Sequence, residues 1–268
     1  MFNKRHIVRT IAATVSILAL SFTAACGSGQ STASNSTDSD DITQQTYKPG
    51  KLTIATGQPA YEPWVMNDKP ESGEGYEAAV AYAVADKLGF KKSDVVWTRT
   101  AFDTAIAPGA KDWDFNIQQF GITDERKKAV DFSSSYYNDS QSVVVKKDSK
   151  FANATKVSDL KDATVGVMVG TLAYDYAKAN IKDDIQTFND DAALAQALDA
   201  GQIDALVTST VECVYMVQSE QVKDAKVLGR LPDSEDKSGM GIVLPKDSKL
   251  TAAVTKAVDD LNADGTIK

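Results

Sequence analysis

An α/β fold divided into two lobes is what this sequence predicts, and three observations point there. Strand-like and helix-like segments alternate with short connections, the pattern of substantially parallel sheets covered by helices. After an extended segment at residues 142–146 the alternation begins a second cycle. The chain has 268 residues; about 240 remain behind an N-terminal leader, large for a single core and comfortable for two lobes.

The elements follow in order. Leu52-Thr53-Ile54-Ala55-Thr56 reads as a strand. Residues 76–88 make an Ala-rich helix stopped by Gly89, because glycine readily takes the conformation that ends a helix. Residues 95–98 and 115–118 read as two further strands. Between them, Asp112-Trp113-Asp114 lacks the further oxygen ligands of a calcium loop and reads as a turn. In the second cycle, residues 164–168 form a strand and Gly170-Thr171 opens a helix. Asp190-Asp191 caps a helix over 192–198 that ends before Gly201. A strand at 203–207, a helix containing Cys213, a return segment at 226–229, a strand at 240–244 and a helix over 249–261 complete the chain.

The first 25 residues read as a signal rather than as fold. Lys4, Arg5 and Arg9 precede an apolar run at 11–20 that is shorter than the roughly 20 residues a spanning helix needs. Thr23-Ala24-Ala25-Cys26 resembles a bacterial lipobox, with Thr23 where Leu is usual, so Cys26 is expected to carry lipid. The polar run from Gly27 into Asp38, Asp40 and Asp41 has too little apolar content to pack; residues 26–47 are expected to be a tether. Such a tether spans on the order of 25 Å.

Charge and histidine usage exclude several functions. The formal charge is −8 and becomes more negative without the leader, which argues against nucleic acid and against adhesion to anionic lipid. The single histidine, His6, lies in the leader, so the body lacks Ser-His-Asp catalysis, Cys-His catalysis and any His-ligated metal. No catalytic residue, metal or cofactor is expected. With Cys26 lipidated, Cys213 has no disulfide partner and reads as a small buried residue on a helix.

The segment Gln118-Gln119-Phe120-Gly121-Ile122-Thr123-Asp124-Glu125-Arg126 carries the chemistry. A short apolar run ends at Gly121, and Thr123 is placed to cap a helix with Asp124 and Glu125 in its first turn. Backbone N–H groups at such a junction, beside the Arg126 guanidinium, suit a carboxylate. Arg126 then leads into Lys127-Lys128-Ala129-Val130-Asp131-Phe132-Ser133-Ser134-Ser135-Tyr136-Tyr137. The whole stretch resembles the "ITxER…vDFSxxYY" signature of the polar amino-acid-binding proteins of ABC importers, and the resemblance extends through most of the chain behind the leader.

That resemblance implies a two-lobed, periplasmic-binding-protein-like fold of type II. The first lobe would be discontinuous, residues 48–143 plus 231–268, with residues 147–227 as the second lobe. Two crossing segments near 143–147 and 227–230 would form the hinge. The implied function is an extracytoplasmic, lipid-anchored, monomeric receptor that hands a small polar solute, an amino acid by analogy, to an ABC permease. Relatives usually continue through an aromatic-bearing final helix, whereas this chain stops at Gly265-Thr266-Ile267-Lys268, so a short C-terminus is expected.

The resemblance also implies a set of site residues. Tyr61, in Pro59-Ala60-Tyr61-Glu62-Pro63-Trp64, and Phe102 would be aromatic walls. Arg126, the Gly121 N–H and the turn Gly170-Thr171-Leu172 would hold a carboxylate; Gly121 and Leu172 stand where relatives often carry hydroxyls. Gln119 would offer its carbonyl to an ammonium, and Gln58 takes a position where an acid often reads the ligand's side chain. Ser209 replaces the aspartate that pairs with the α-ammonium. Either Glu212, one helical turn on, or carbonyl groups substitute for it, or the ligand lacks a free α-amine. A dehydratase-like enzyme on the same scaffold is a further alternative; Glu62 and Glu212 are its loose acid/base candidates, with no close-set carboxylate pair evident. A sensor would call for a spanning helix and a signalling domain, which the chain lacks.

Overall fold

The computed structural model describes residues 41–267. The leader and Cys26 lie outside the described residues. Two five-stranded mixed sheets organise the chain. The first is built from β1 (Leu52–Thr56), β2 (Val95–Arg99), β3 (Phe115–Asn116), β4 (Val130–Tyr137) and β10 (Met240–Pro245), in the order β2-β1-β3-β10-β4. The second contains β5 (Gln141–Lys146), β6 (Val165–Met168), β7 (Gln186–Phe188), β8 (Ala205–Ser209) and β9 (Ala225–Arg230), in the order β7-β6-β8-β5-β9. Strands joined through helices pair in parallel, whereas β10 runs antiparallel to β3 and β4, and β5 antiparallel to β8 and β9. Because β10 returns from the end of the chain, the first lobe is discontinuous.

The crossings lie elsewhere than the sequence reading placed them. Residues 143–147 and 227–230 are not free crossing segments. They fall largely within β5 and β9, which pair with Val143 opposite Gly229 and Val145 opposite Lys226. Val143, Val144 and Val145 are fully buried because helices cover both faces of this sheet. The chain passes between sheets at residues 138–140 and 231–239.

Apolar runs that bury on both faces account for the rest. All five residues of β1 are buried, and Leu52 and Ile54 pack with Trp64, Phe115 and the helices α1 (Tyr76–Lys87) and α6 (Thr251–Ala263). In the second lobe, α3 (Leu172–Asn180) covers the face carrying Val143, Val165 and Val207. Helices α4 (Asp191–Asp199) and α5 (Thr210–Gln218) cover the other face, around Val144, Leu206 and Cys213. A short helix, α2 (Phe102–Ile106), follows β2.

Two further expectations are corrected. The end of the expected tether is docked on the first lobe. Ile42 packs on its core, and the Tyr47 N–H donates to Asp114 Oδ1 at 2.6 Å. The other Asp114 oxygen accepts from Thr53 N–H at 2.6 Å, so this carboxylate ties backbone together. After Thr123 the chain forms a 3-10 turn, Arg126–Lys128, in place of a helix. The β-favouring run Val130-Asp131-Phe132 then pulls it into β4. Among the described residues no helix is long and apolar enough to cross a membrane.

Candidate functional site

A cavity between the sheets is lined by both lobes and both crossing segments. Arg126 enters from the 3-10 turn, whose start Thr123 caps by accepting the Arg126 N–H at 3.1 Å. Its guanidinium donates from Nη1 to the Gly121 carbonyl at 2.7 Å and from Nη2 to the Gly170 carbonyl at 2.8 Å. One side chain thus bridges the two lobes. It stands 5.5 Å above the Phe102 ring, which is itself stacked on Phe120 at 4.6 Å. Burial draws the Arg126 pKa down, and Asp175 and Asp236 oppose that.

Gly121 is a point of close approach between the lobes. A Cβ there would lie 2.5 Å from Leu172 Cδ1 and 2.9 Å from Asp236 Oδ2. Leu172 opens α3, and Thr171 caps it by accepting from the Tyr174 N–H at 3.2 Å while donating to the Met168 carbonyl at 2.8 Å. The Thr171 hydroxyl is therefore already committed; what the turn offers a ligand is backbone N–H at a helix start. Gly170, with φ 74°, turns its carbonyl to Arg126 and does not line the cavity.

Gln119 lines the cavity in a left-handed conformation, φ 50°. Glu77 on α1 holds it there, accepting the Gln119 N–H at 2.8 Å, and a second bond runs from the Gln119 amide nitrogen to Glu77 Oε2. The Tyr136 hydroxyl also donates to Glu77. This carboxyl is fully buried, and desolvation pushes its pKa up to about 7 against those three bonds. Tyr61 reaches from the first lobe, where its hydroxyl accepts the Ala192 N–H at the start of α4 at 3.4 Å. The neighbouring Glu62 accepts from the Tyr215 hydroxyl on α5, a further tie across the lobes. Gln58 is exposed and does not line the cavity.

Four carboxyls also line the cavity. Ser209 lines it, yet its hydroxyl caps α5 by accepting the Glu212 N–H at 3.2 Å. Glu212 is buried, lines the cavity and accepts from the Thr208 hydroxyl at 2.9 Å. Asp191 and Asp139, from α4 and the first crossing segment, join it, and Asp236 comes from the second crossing segment. Burial raises all four carboxyls, Asp191 to about 6 and Glu212 well above the ordinary range. Asp191 and Glu212 are in contact, so a close-set carboxyl pair exists that the sequence reading did not see. In sequence Asp190-Asp191 reads as one cap; in fact Asp190 does the capping, accepting the Ala193 N–H at 2.8 Å, which releases Asp191 to the cavity. Asp139 and Asp236 sit in polar crossing segments that carry no sequence signal.

The fold and this interlobe cavity define a class of protein. Residues 52–268 match the model of the bacterial extracellular solute-binding proteins, family 3, and the chain belongs to that family. Among its relatives, the "L-arginine-binding protein" of Pseudomonas aeruginosa is 29% identical over 237 residues, covering 82% of this chain and 85% of that one. The "L-cystine-binding protein TcyJ" of Escherichia coli is 29% identical over 211 residues, covering 78% and 76%. Of solved structures, an ancestral arginine-binding protein bound to arginine is 31% identical with a TM-score of 0.69, covering 81% of this chain and 95% of that one. The ancestral amino acid-binding protein AncCDT-1, described as a precursor of cyclohexadienyl dehydratase, is 31% identical at a TM-score of 0.65, covering 81% and 92%.

Proposed function

We propose that this protein captures a free amino acid between its lobes outside the cytoplasm and delivers it to an ABC permease. It does so as a monomer held at the membrane by lipid on Cys26, and without catalysis. The observation that carries this reading is the polarity of the cavity. Arg126 and the N-terminus of α3 line it together with the carboxyls of Asp139, Asp191 and Glu212, so one cavity holds both a guanidinium and a set of acids. A zwitterion matches that arrangement, its carboxylate on the guanidinium and its ammonium on the acids. The carboxyls also favour an amine-bearing ligand over a deaminated one, with Glu212 and its neighbours supplying the charge that Ser209 lacks. Closure follows from differential contact, because such a ligand touches both lobes only when they meet.

The test is thermal melting of residues 41–268 with a panel of L-amino acids and their deaminated analogues. At 100 times its Kd, a true ligand stabilises by about 2.7 kcal/mol. A panel without any shift refutes amino-acid binding. Incubation with the same panel, followed by product analysis, tests the absence of turnover.

A further inference from the structure

Asp191 and Glu212 are more than an acidic patch. Both are over nine-tenths buried, come from different helices and line the same cavity. Asp191 Oδ1 has no hydrogen-bond partner, an expensive state for a buried carboxyl oxygen unless something absent from the protein completes it. Glu212 is fixed by the Thr208 hydroxyl at 2.9 Å, and the Asp191 carboxyl touches both. Two carboxyls in contact in a dry site do not both ionise.

We infer that Asp191 and Glu212 form a proton-sharing pair that recognises the ligand's cationic group, and that binding this group expels the shared proton to solvent. The inference rests on the amino-acid reading above and adds to it the residues that read the cation and a proton stoichiometry. The balance is simple: the empty pair holds one proton and one negative charge, and the occupied pair holds a cation against two negative charges. No other bond changes.

The surroundings favour this state over an ordinary ion pair within the protein. Facing the pair are Asp190 at the start of α4, Asp139 from the first crossing segment and Glu77 from α1, all of which add to the cost of ionisation. Cys213 on α5 feels the same carboxyls and stays a thiol, its pKa raised by burial. Behind the pair lie Tyr61, Glu62 and Tyr215, with the Glu62 carboxylate held low by the Tyr215 hydroxyl. Arg126 lines the same cavity, with one Nη1 and one Nη2 donor on the Gly121 and Gly170 carbonyls and its remaining donors left for a ligand carboxylate. Burial raises both carboxyls of the pair, Asp191 to about 6 and Glu212 well above its ordinary range, so the dry pair holds on to a proton that exposed carboxyls would release. A cation arriving between them favours its loss.

Isothermal titration with L-arginine, L-lysine and L-glutamine at pH 7, in phosphate and in Tris, tests this. The two buffers differ in ionisation enthalpy, so the dependence of apparent binding enthalpy on buffer counts protons released. For whichever amino acid binds, the expected count approaches one per ligand, and affinity rises between pH 6 and 8. Asp191→Asn, which keeps size at the first position of α4, should bring the count to near zero and weaken binding at least tenfold. A count near zero in the unaltered protein, with binding intact, overturns the inference and leaves the amino-acid reading standing. An unchanged count in Asp191→Asn and in Glu212→Gln overturns it as well. Absence of any binding heat from the panel removes the amino-acid reading, and this inference with it.

Discussion

Gly121→Ala places one methyl group where the two lobes meet. The new Cβ would sit 2.5 Å from Leu172 Cδ1 and 2.9 Å from Asp236 Oδ2. Carbon atoms pack at about 3.5–4.0 Å, so the overlap with Leu172 exceeds roughly 1 Å. Gly121 does not need a left-handed backbone, so alanine costs nothing locally. The penalty falls on the closed state, because Leu172 belongs to the second lobe and moves away when the lobes part. Overpacking of this kind costs about 1–3 kcal/mol, which weakens ligand affinity about 5- to 150-fold. Titration calorimetry with the best ligand of the panel measures the loss. The ligand-free melting temperature, set mainly by the two lobe cores, should move by only a few degrees. Adding Leu172→Ala removes the obstructing methyls and should restore most of the affinity. An unchanged Kd in Gly121→Ala, or a loss that Leu172→Ala does not relieve, would refute the steric argument.

Three further outcomes follow from the same geometry. Arg126→Ala should weaken binding about 10- to 150-fold, the worth of a charged hydrogen bond at roughly 1.5–3 kcal/mol, with an unchanged circular dichroism spectrum; retained affinity would place the carboxylate elsewhere. Glu77 has a folded-state pKa raised from 4.5 to about 7, so the folded protein holds its proton more tightly than the unfolded chain. Its contribution is present at low pH and is lost as pH rises from 4.5 to 7, by on the order of 3 kcal/mol. Urea denaturation at pH 5 and pH 8 should show Glu77→Gln gaining on the unaltered protein at the higher pH, and parallel profiles would contradict this. Tyr215→Phe deletes the bond to Glu62 across the lobes; a net hydrogen bond of about 0.5–1.5 kcal/mol predicts 2- to 12-fold faster ligand release in stopped-flow fluorescence, and an unaltered rate would mean that this tie plays no part in holding the lobes closed.

The first lobe's β1 and the caps at Thr171 and Asp190 were legible because their signals are local: an apolar run, or a short polar side chain placed before a helix. Ser209, read only as a substituted ligand position, is also a cap. Arg126, Gly121, Tyr61 and Phe102 were legible through motif context, and the structure brings all four to one cavity. Gln58 was named by the same logic and lies exposed outside it. The strand β4, read only as a motif, was obscured by its serines, since Val130-Asp131-Phe132-Ser133-Ser134-Ser135 lacks clean two-residue alternation. The crossing segments were misplaced because a polar loop and the end of a buried strand differ little in sequence when the pairing partner is eighty or more residues away.

By itself, then, the sequence determined the α/β alternation, the acidic and histidine-free body, and the motif that carries Arg126, which lines the cavity. Only the tertiary structure decided where the negative charge of the cavity comes from. Asp139, Asp191, Glu212 and Asp236 are spread over nearly a hundred residues and four different segments. They meet because the two crossings and the N-terminal ends of α4 and α5 converge on one cavity. Local sequence encodes whether a segment is helix or strand; it does not encode which distant carboxyl will be desolvated beside another, and that proximity is what sets their charge.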